Sequence, residues 1–334
     1  MITTLKKYWL MVIFLIVILL GCLTTLCFNW KSIGAMVFKG VQSEVRDNRI
    51  GVNTASNITS IAESAFTDNL YGKSYWVEIL GLFNKVSGKS IFLDTEDRYT
   101  VYRMTNGQET WNYHGYDTTP LAEKYAAFAS DMSGRGISLI YIQAPFKVNK
   151  YDNRLPYGIS DEMNPLADQF LSLVSSYDTL DLREVIHENN MNYETLFYNT
   201  DHHWTPETGL WATSVITNRI RNEYGIELDT SFLSEDNYSF TLFENYFLGS
   251  QGKRAGVIYS GLDDFVLIEP KYETDYLLNI PLLNIFKRGS FSDTILFKEN
   301  LIRDIYEGDP GRVYTGDNYS LMTIQNMNAQ NKTR

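Results

Sequence analysis

The chain has 334 residues, 44% of them hydrophobic and 14% aromatic, which is a globular composition rather than a disordered one. Its net charge of −11 argues against a nucleic-acid partner, since such binding needs a basic patch. Both cysteines, Cys22 and Cys27, sit in the N-terminal apolar run. The rest of the chain therefore has no disulfide framework, no Cys-ligated zinc and no Cys nucleophile.

Tyr8 to Phe28 is 21 residues without a charge, long enough as a helix to cross a hydrocarbon core of roughly 30 Å. Lys6 and Lys7 precede it, so the positive-inside rule puts residues 1–7 in the cytoplasm and everything after the span outside the cell membrane. The reading is a single-pass signal anchor. A cleaved signal peptide is the alternative, as is a lipoprotein with Cys22 in the lipobox-like Leu19-Leu20-Gly21-Cys22. The run stays apolar through Leu23, Leu26 and Trp30, which argues against processing there. The external part carries a net charge of −13.

Residues 29–75 are polar and mixed and read as a stalk with one or two short helices. Residues 76–334 read as one extracytoplasmic domain. Ile91-Phe92-Leu93 looks like a short strand before the turn-rich Asp94-Thr95-Glu96-Asp97. Thr119-Pro120 is a helix start with a capping hydroxyl, and Leu121, Tyr125, Phe128 and Met132 form its stripe. Ile137 to Ala144 is an apolar strand expected to be buried on both faces. Asn164-Pro165 opens a second helix with Leu166, Phe170, Leu173 and Tyr177 on one face. A strand near Thr179 to Leu182 follows, then a helix near Arg183 to Asn189. Leu196 to Tyr198 reads as a short strand, and Thr205-Pro206-Glu207 as the start of a helix striped by Ala212, Ile216, Ile220 and Tyr224 and closed by Gly225. Alternating helices and strands predict a parallel sheet covered on both faces. From Tyr238 onward, short apolar runs between Gly, Asp and Pro read as an insertion or cap on that sheet.

The chemistry concentrates in Asp201-His202-His203-Trp204, which holds two of the four histidines. On an extended loop Asp201 and His203 point the same way. The carboxylate then holds one ring nitrogen of His203 and leaves the other as a general base. His202 faces the opposite side, and Trp204 packs beneath the loop or lines the acyl pocket. Two other readings stay open. The pair is also a plausible capping and packing cluster at a helix start. Asp, His and His are also metal ligands, but His114 and His187 lack ligand spacing to the loop. The reading therefore assigns no metal and no cofactor.

The longer string Asn199-Thr200-Asp201-His202-His203-Trp204-Thr205-Pro206-Glu207-Thr208-Gly209 resembles the signature of the bacterial DHHW protein family. It is similar to the Asp-x-His-Trp block of SGNH hydrolase-like domains in alginate O-acetylation proteins of the AlgX/AlgJ type. Ala144-Pro145-Phe146-Lys147-Val148, Gly249-Ser250-Gln251-Gly252-Lys253-Arg254 and Gly261-Leu262-Asp263-Asp264-Phe265 resemble further segments of these proteins. The resemblance implies an SGNH-like three-layer α/β/α fold with a parallel central sheet. It also implies a Ser-His-Asp triad, with Asp201 orienting His203. Its serine takes an acetyl group from a membrane-bound O-acyltransferase and passes it to a hydroxyl of a cell-surface polysaccharide. His202, Trp204, Lys253, Arg254 and Tyr259 are candidate substrate-binding residues, although Lys253, Arg254 and Tyr259 read equally well as surface charge and packing.

In these domains the serine follows the Asp-x-His block, on an apolar strand ending in Asp-Ser. The tail Thr315 to Asn326 resembles what precedes that strand, and Gly316-Asp317-Asn318 offers Asn where a nucleophile is needed. The C-terminal part is therefore expected to be truncated, with the serine beyond Arg334. Ser250 is the alternative nucleophile, but it lacks the strand and sharp turn that expose a catalytic serine. The expected activity is that of an O-acetyltransferase or acetylesterase. The alternative is a non-catalytic glycan-binding or scaffold component.

Overall fold

The computed structural model describes residues 2–47, 54–93, 99–113, 115–302 and 304–329. Asp94-Thr95-Glu96-Asp97 and His114 lie outside the described residues. The chain divides into two units, Met1–Val77 and Glu78–Arg334.

In the first unit, α1 (Ile2–Asp47) and α2 (Thr54–Asp68) form a helical hairpin. Contacts run antiparallel: Asn57 Nδ2 donates to Glu44 Oε1, Asn29 Nδ2 to the Asn69 carbonyl, and the Tyr71 N–H to Thr25 Oγ1. The α1 helix does not end with the apolar run but continues unbroken to Asp47. This differs from the short stalk helices expected after residue 28, because residues 29–47 gain a partner helix that local periodicity cannot reveal. Among the described residues α1 is the one helix long and apolar enough to cross a membrane. Thr24 and Thr25 return their hydroxyl protons to carbonyls of the preceding turn, so neither hydroxyl proton is left unpaired.

The second unit holds a mixed α/β fold. Helix α3 (Lys73–Ser87) leads into it. The strands β1 (Ile91–Phe92), β2 (Val101–Arg103) and β3 (Glu109–Thr110) make a small antiparallel sheet. Then come α4 (Thr119–Gly134), β4 (Tyr141–Gln143), α5 (Met163–Leu173), β5 (Thr179–Asp181) and α6 (Leu182–Glu188). The pair β4–β5 is parallel, with Ile142 opposite Leu180. Helix α7 (Pro206–Tyr224) follows, capped by Thr205 Oγ1 and closed by Gly225 at φ 62°.

Layering follows from side-chain alternation along β4. Tyr141 packs with Tyr125 of α4 and with Phe170 and Val174 at the α5 end. Its neighbours Ile140 and Ile142 pack on the other face with Leu180, Ala212 and Trp211. Helices therefore cover both faces of the parallel pair, the α/β/α arrangement. Among the described residues the parallel sheet is two strands wide, and Ile137 is half exposed rather than buried.

Two helix faces differ from their sequence stripes. On α4, Ala122 and Ala129 are buried while Leu121 and Phe128 are half exposed; on α5, Ala167 is buried while Leu173 is exposed. Small residues let these helices approach closely at Ala122, Ala129 and Ala167, while Phe170 of the expected α5 stripe is buried. At the α4 start Thr118 and Thr119 do not cap. Asp117 Oδ1 accepts from the Thr119 N–H instead.

Beyond α7 the chain turns antiparallel. The strand β6 (Tyr238–Phe247) pairs with β7 (Asp263–Pro270), joined through the short helices α8 (Gly252–Ala255) and α9 (Val257–Ser260). A further sheet runs in the order β10 (Thr323–Asn326), β8 (Tyr276–Ile280), β9 (Ile285–Gly289). The tail thus contributes β10, paired with β8 from Thr323 opposite Asn279 to Asn326 opposite Tyr276.

Candidate active site

Leu196 to Tyr198 is not a strand of a sheet. Phe197 and Trp204 form an isolated antiparallel bridge, the Tyr198 N–H donates to the His203 carbonyl, and the Thr205 N–H to the Leu196 carbonyl. The stretch is thereby pinched into a closed bend at the foot of α7. Trp204 packs under it against Leu180, Leu182, Ile186 and Leu196.

Three braces hold the bend from behind. The Asp263 carboxylate accepts from the backbone N–H groups of Asn199 (2.7 Å) and Thr200 (2.8 Å) and from Thr200 Oγ1 (2.6 Å). The buried Lys147 Nζ donates to the carbonyls of Asn199 (2.9 Å), Asp201 (2.7 Å) and Glu109. Burial lowers the Lys147 ammonium to about 8, against the charges of Asp263, Asp201 and Glu109. The Gly249 N–H donates to Thr200 Oγ1 (2.7 Å), and the Gly252 N–H to the Thr200 carbonyl (2.9 Å).

Gly249 is fixed by closeness. A Cβ there would stand 2.3 Å from Asp201 Cβ and 2.4 Å from the Thr200 carbonyl oxygen. The obstacle is largely backbone, so it cannot swing aside. Gly249→Ala is expected to cost roughly 3 kcal/mol and to lower turnover by moving Asp201; thermal melting and a rate assay check both.

The carboxylate of Asp201 is the hub. Its Oδ1 accepts from the His203 N–H (2.9 Å) and lies 2.5 Å from His203 Nδ1. Its Oδ2 accepts from the Ser250 N–H (2.7 Å) and Ser250 Oγ (2.8 Å). Burial works to raise this carboxyl, but the hydrogen bond from His203, both imidazoles and the Ser250 N–H outweigh it and hold the group well below the usual range. The same hydrogen bond raises the His203 imidazole, with burial opposing. With Nδ1 held, Nε2 is the free nitrogen, and the side chain is 69% exposed. Among the described residues no hydroxyl hydrogen-bonds to it.

His202 does not face away. Its Nδ1 is 3.4 Å from Asp201 Oδ1 and 3.4 Å from Ser250 Oγ, and its ring sits between Trp111 and His203 at centroid distances of 4.4 and 3.8 Å. The bend cancels the alternation of an extended loop and brings both imidazoles to one carboxylate. Burial lowers the His202 imidazole. It cannot relay a proton from Ser250 to Asp201, because both approach the same ring nitrogen and a triad needs opposite ones.

Ser250 follows β6 and precedes α8, so a strand does come before it, contrary to expectation. Its hydroxyl nevertheless engages the orienting acid and not the His203 base. The geometry is that of a group positioning Asp201. The donor atoms of Asp201, His202 and His203 lie within 4.8 Å of one another. The 2.5 Å separation of His203 Nδ1 and Oδ1 is that of a hydrogen bond, and two ligands at about 2.0–2.1 Å from one ion stand farther apart than this.

The remaining candidates scatter. Lys253 Nζ donates to the Gly308 carbonyl, and burial lowers its ammonium against the charges of Asp309, Glu307 and Asp201. The Arg254 guanidinium lies 4.7 Å over the Tyr99 ring. Tyr259 is buried, donates to the Lys89 carbonyl, and packs under Arg103 and against Phe92. It belongs to the domain's packing. Lys147, Asp263, Gly249 and Ser250 lay within segments whose resemblance was visible, yet their bracing roles needed the fold.

Glu109 is buried beside the braces. Its Oε1 accepts from Ser260 Oγ (2.6 Å) and lies 3.8 Å from Arg103 Nη1, and its Oε2 has no partner among the described residues. Burial pushes its carboxyl up to about 7, against the pull of Ser260, Lys147 and Arg103 and with the help of Asp263. A carboxyl raised in the folded state costs stability as pH rises past its unfolded value, in full above the folded one. Glu109→Gln is therefore expected to be more stable than the parent at pH 8, by about 2–3 kcal/mol, and unchanged at pH 4. Melting curves at the two pH values check it.

Residues 115–237 match the family described as "ALGX: SGNH hydrolase-like domain, acetyltransferase AlgX". Among solved structures, Bacillus cereus PatB1 with a sulfonyl adduct superposes with a TM-score of 0.55 at 17% identity, covering 73% of this chain and 77% of its own. The same protein without the adduct gives 0.55 and 17%, over 73% and 78%. A DHHW family protein from Eubacterium siraeum gives 0.49 at 14% identity, over 72% and 74%. A search of curated protein sequences finds no match. Over residues 115–237 the chain is thus similar to the SGNH hydrolase-like domain of AlgX, the kind of domain that its Asp-His-His-Trp stretch resembles.

Proposed function

We propose that the protein is a membrane-anchored, extracytoplasmic O-acetyltransferase or acetylesterase of a cell-surface polysaccharide, with His203 as general base and Asp201 as its orienter. The observation that carries this is the 2.5 Å hydrogen bond from His203 Nδ1 to Asp201, which leaves Nε2 toward solvent. The match to an acetyltransferase domain supports the acyl group.

In this reading Nε2 takes the proton of a serine hydroxyl on a segment following the Asp-x-His block. The serine oxygen attacks the acetyl carbonyl, and the donor's leaving group departs with the proton from His203. A sugar hydroxyl then gives its proton to Nε2 and attacks the acyl-serine carbonyl, and the serine oxygen leaves taking that proton from Nε2. Water in place of the sugar makes the same steps an esterase. His202 and Lys253 flank the dyad on the acceptor side. Lys6 and Lys7 keep the N-terminus cytoplasmic, and a membrane-bound O-acyltransferase supplies the acetyl group.

The test uses the full reading frame in detergent, with an aryl acetate as donor and an acetyl-free oligosaccharide as acceptor. Acetate release, acceptor acetylation by mass spectrometry and inactivation by a sulfonyl fluoride with one serine adduct are expected. No acyl chemistry, combined with glycan binding that survives Asp201→Ala and His203→Ala together, would replace this reading with a binding scaffold.

A further inference from the structure

Helix α3 is amphipathic in the reverse sense. Its inward side is small and polar. Gly81 and Asn84 are buried, and a Cβ at Gly81 would stand 2.4 Å from the Ala255 carbonyl oxygen. Glu78 accepts from the N–H groups of Val257 and Ile258 at 2.8 and 2.9 Å and from the Tyr306 hydroxyl. The hydrogen bonds are made inward, while Ile79, Leu80, Leu82, Phe83 and Val86 are all exposed, Phe83 at 69% and Val86 at 81%. At 100° per residue these five, together with the exposed Tyr75 and Trp76, fall within an arc of roughly 160°. A soluble domain has no reason to turn that face to water.

We propose that this face of α3 lies in the headgroup region of the membrane, as an interfacial helix that sets the domain against the bilayer surface. Three observations select a bilayer as the occupant. The same chain carries a helix long and apolar enough to span a membrane, so the surface is always near. The aromatic pair Tyr75 and Trp76 is the type enriched at membrane–water boundaries. The charge is complementary to anionic lipid. In an external part of net charge −13, Lys85 and Lys89 are exposed on or beside the helix, Lys73 at its start pairs with Asp68 at 3.6 Å, and its one acid, Glu78, is spent on backbone N–H groups and the Tyr306 hydroxyl. Lys85 also donates to the Ile258 carbonyl and Lys89 lies near the Phe92 ring, so both reach past the helix with their stems along apolar surface. The inference depends on the spanning helix and not on the catalytic dyad.

The test uses the full chain with Cys22 and Cys27 replaced by alanine and a nitroxide on one new cysteine at a time. The positions are Phe83→Cys, Val86→Cys and, as a water-facing control, the exposed Lys124→Cys. The protein is measured in vesicles of phosphatidylcholine and phosphatidylglycerol. At positions 83 and 86 the expected result is several-fold lower collision with a water-soluble nickel chelate, and higher collision with oxygen, than at position 124. Equal nickel accessibility at the three positions would overturn the proposal. So would protection accompanied by spin–spin broadening that vanishes on dilution with unlabelled protein, which would mean that a second copy covers the face. The two label sites lie one turn apart, so misfolding of one variant leaves the other to decide.

Discussion

His203→Ala is expected to lower kcat/KM for acetyl-ester turnover by about 10³–10⁴-fold, the scale on which triad members act. Acceptor binding should persist, because the exposed imidazole contributes little packing. Activity surviving the change would remove His203 from the chemistry. The pH profile is a second readout. The base acts as neutral imidazole, and Asp201 raises its pKa, so the rate should climb with pH through a value above the ordinary histidine value of about 6.5. Asp201→Asn removes that hold. Its acidic limb should move to lower pH while the plateau falls by a factor approaching that of His203→Ala. The same pair links stability to pH. The raised His203 contributes stability that is present at low pH and is lost as pH rises through its folded value. The depressed Asp201 contributes stability above its unfolded value of about 3.9, lost as pH falls toward its folded one.

Lys147→Met is the second large effect. It keeps most of the side-chain volume but takes the donor from three carbonyls, those of Glu109, Asn199 and Asp201. Each buried acceptor left unpaired costs about 1–3 kcal/mol, and the relief of desolvating one ammonium offsets part of the sum. A net loss of about 3–5 kcal/mol follows, which for a domain of this size is a melting shift of roughly 8–15 °C. Turnover should fall too, because Lys147 reaches the backbone of the hub residue itself. Melting unchanged from the parent would mean that water or Asp263 alone holds the bend. A variant that melts low but turns over normally would confine Lys147 to stability.

How much of this was legible in the sequence varies from residue to residue. The Asp201–His203 pairing was, because a two-residue spacing brings the groups together under almost any local backbone. The start and end of α7 were, because Thr205-Pro206 and Gly225 act through neighbouring atoms. The long apolar helix at the N-terminus was, because its length and lack of charge suffice. His202 was misplaced, since alternation holds only for an extended chain and the Phe197–Trp204 bridge bends it. Ser250 was set aside for want of a preceding strand, and β6 was recognisable only with β7 beside it to pair.

The sequence by itself determined the chemistry available: an acid and an imidazole close in the chain, an apolar helix long enough to cross a membrane ahead of them, and no cysteine in the domain. These are properties of neighbouring residues, fixed before folding. Tertiary structure decided how that chemistry is held. Asp263, Gly249, Ser250, Lys147 and Glu109 come from segments tens of residues apart and meet only when β6, β7 and the loop after β4 converge on one bend. Their roles rest on distances across the fold, and so does the outward apolar face of α3, because no local pattern states which side of a helix its neighbours will take.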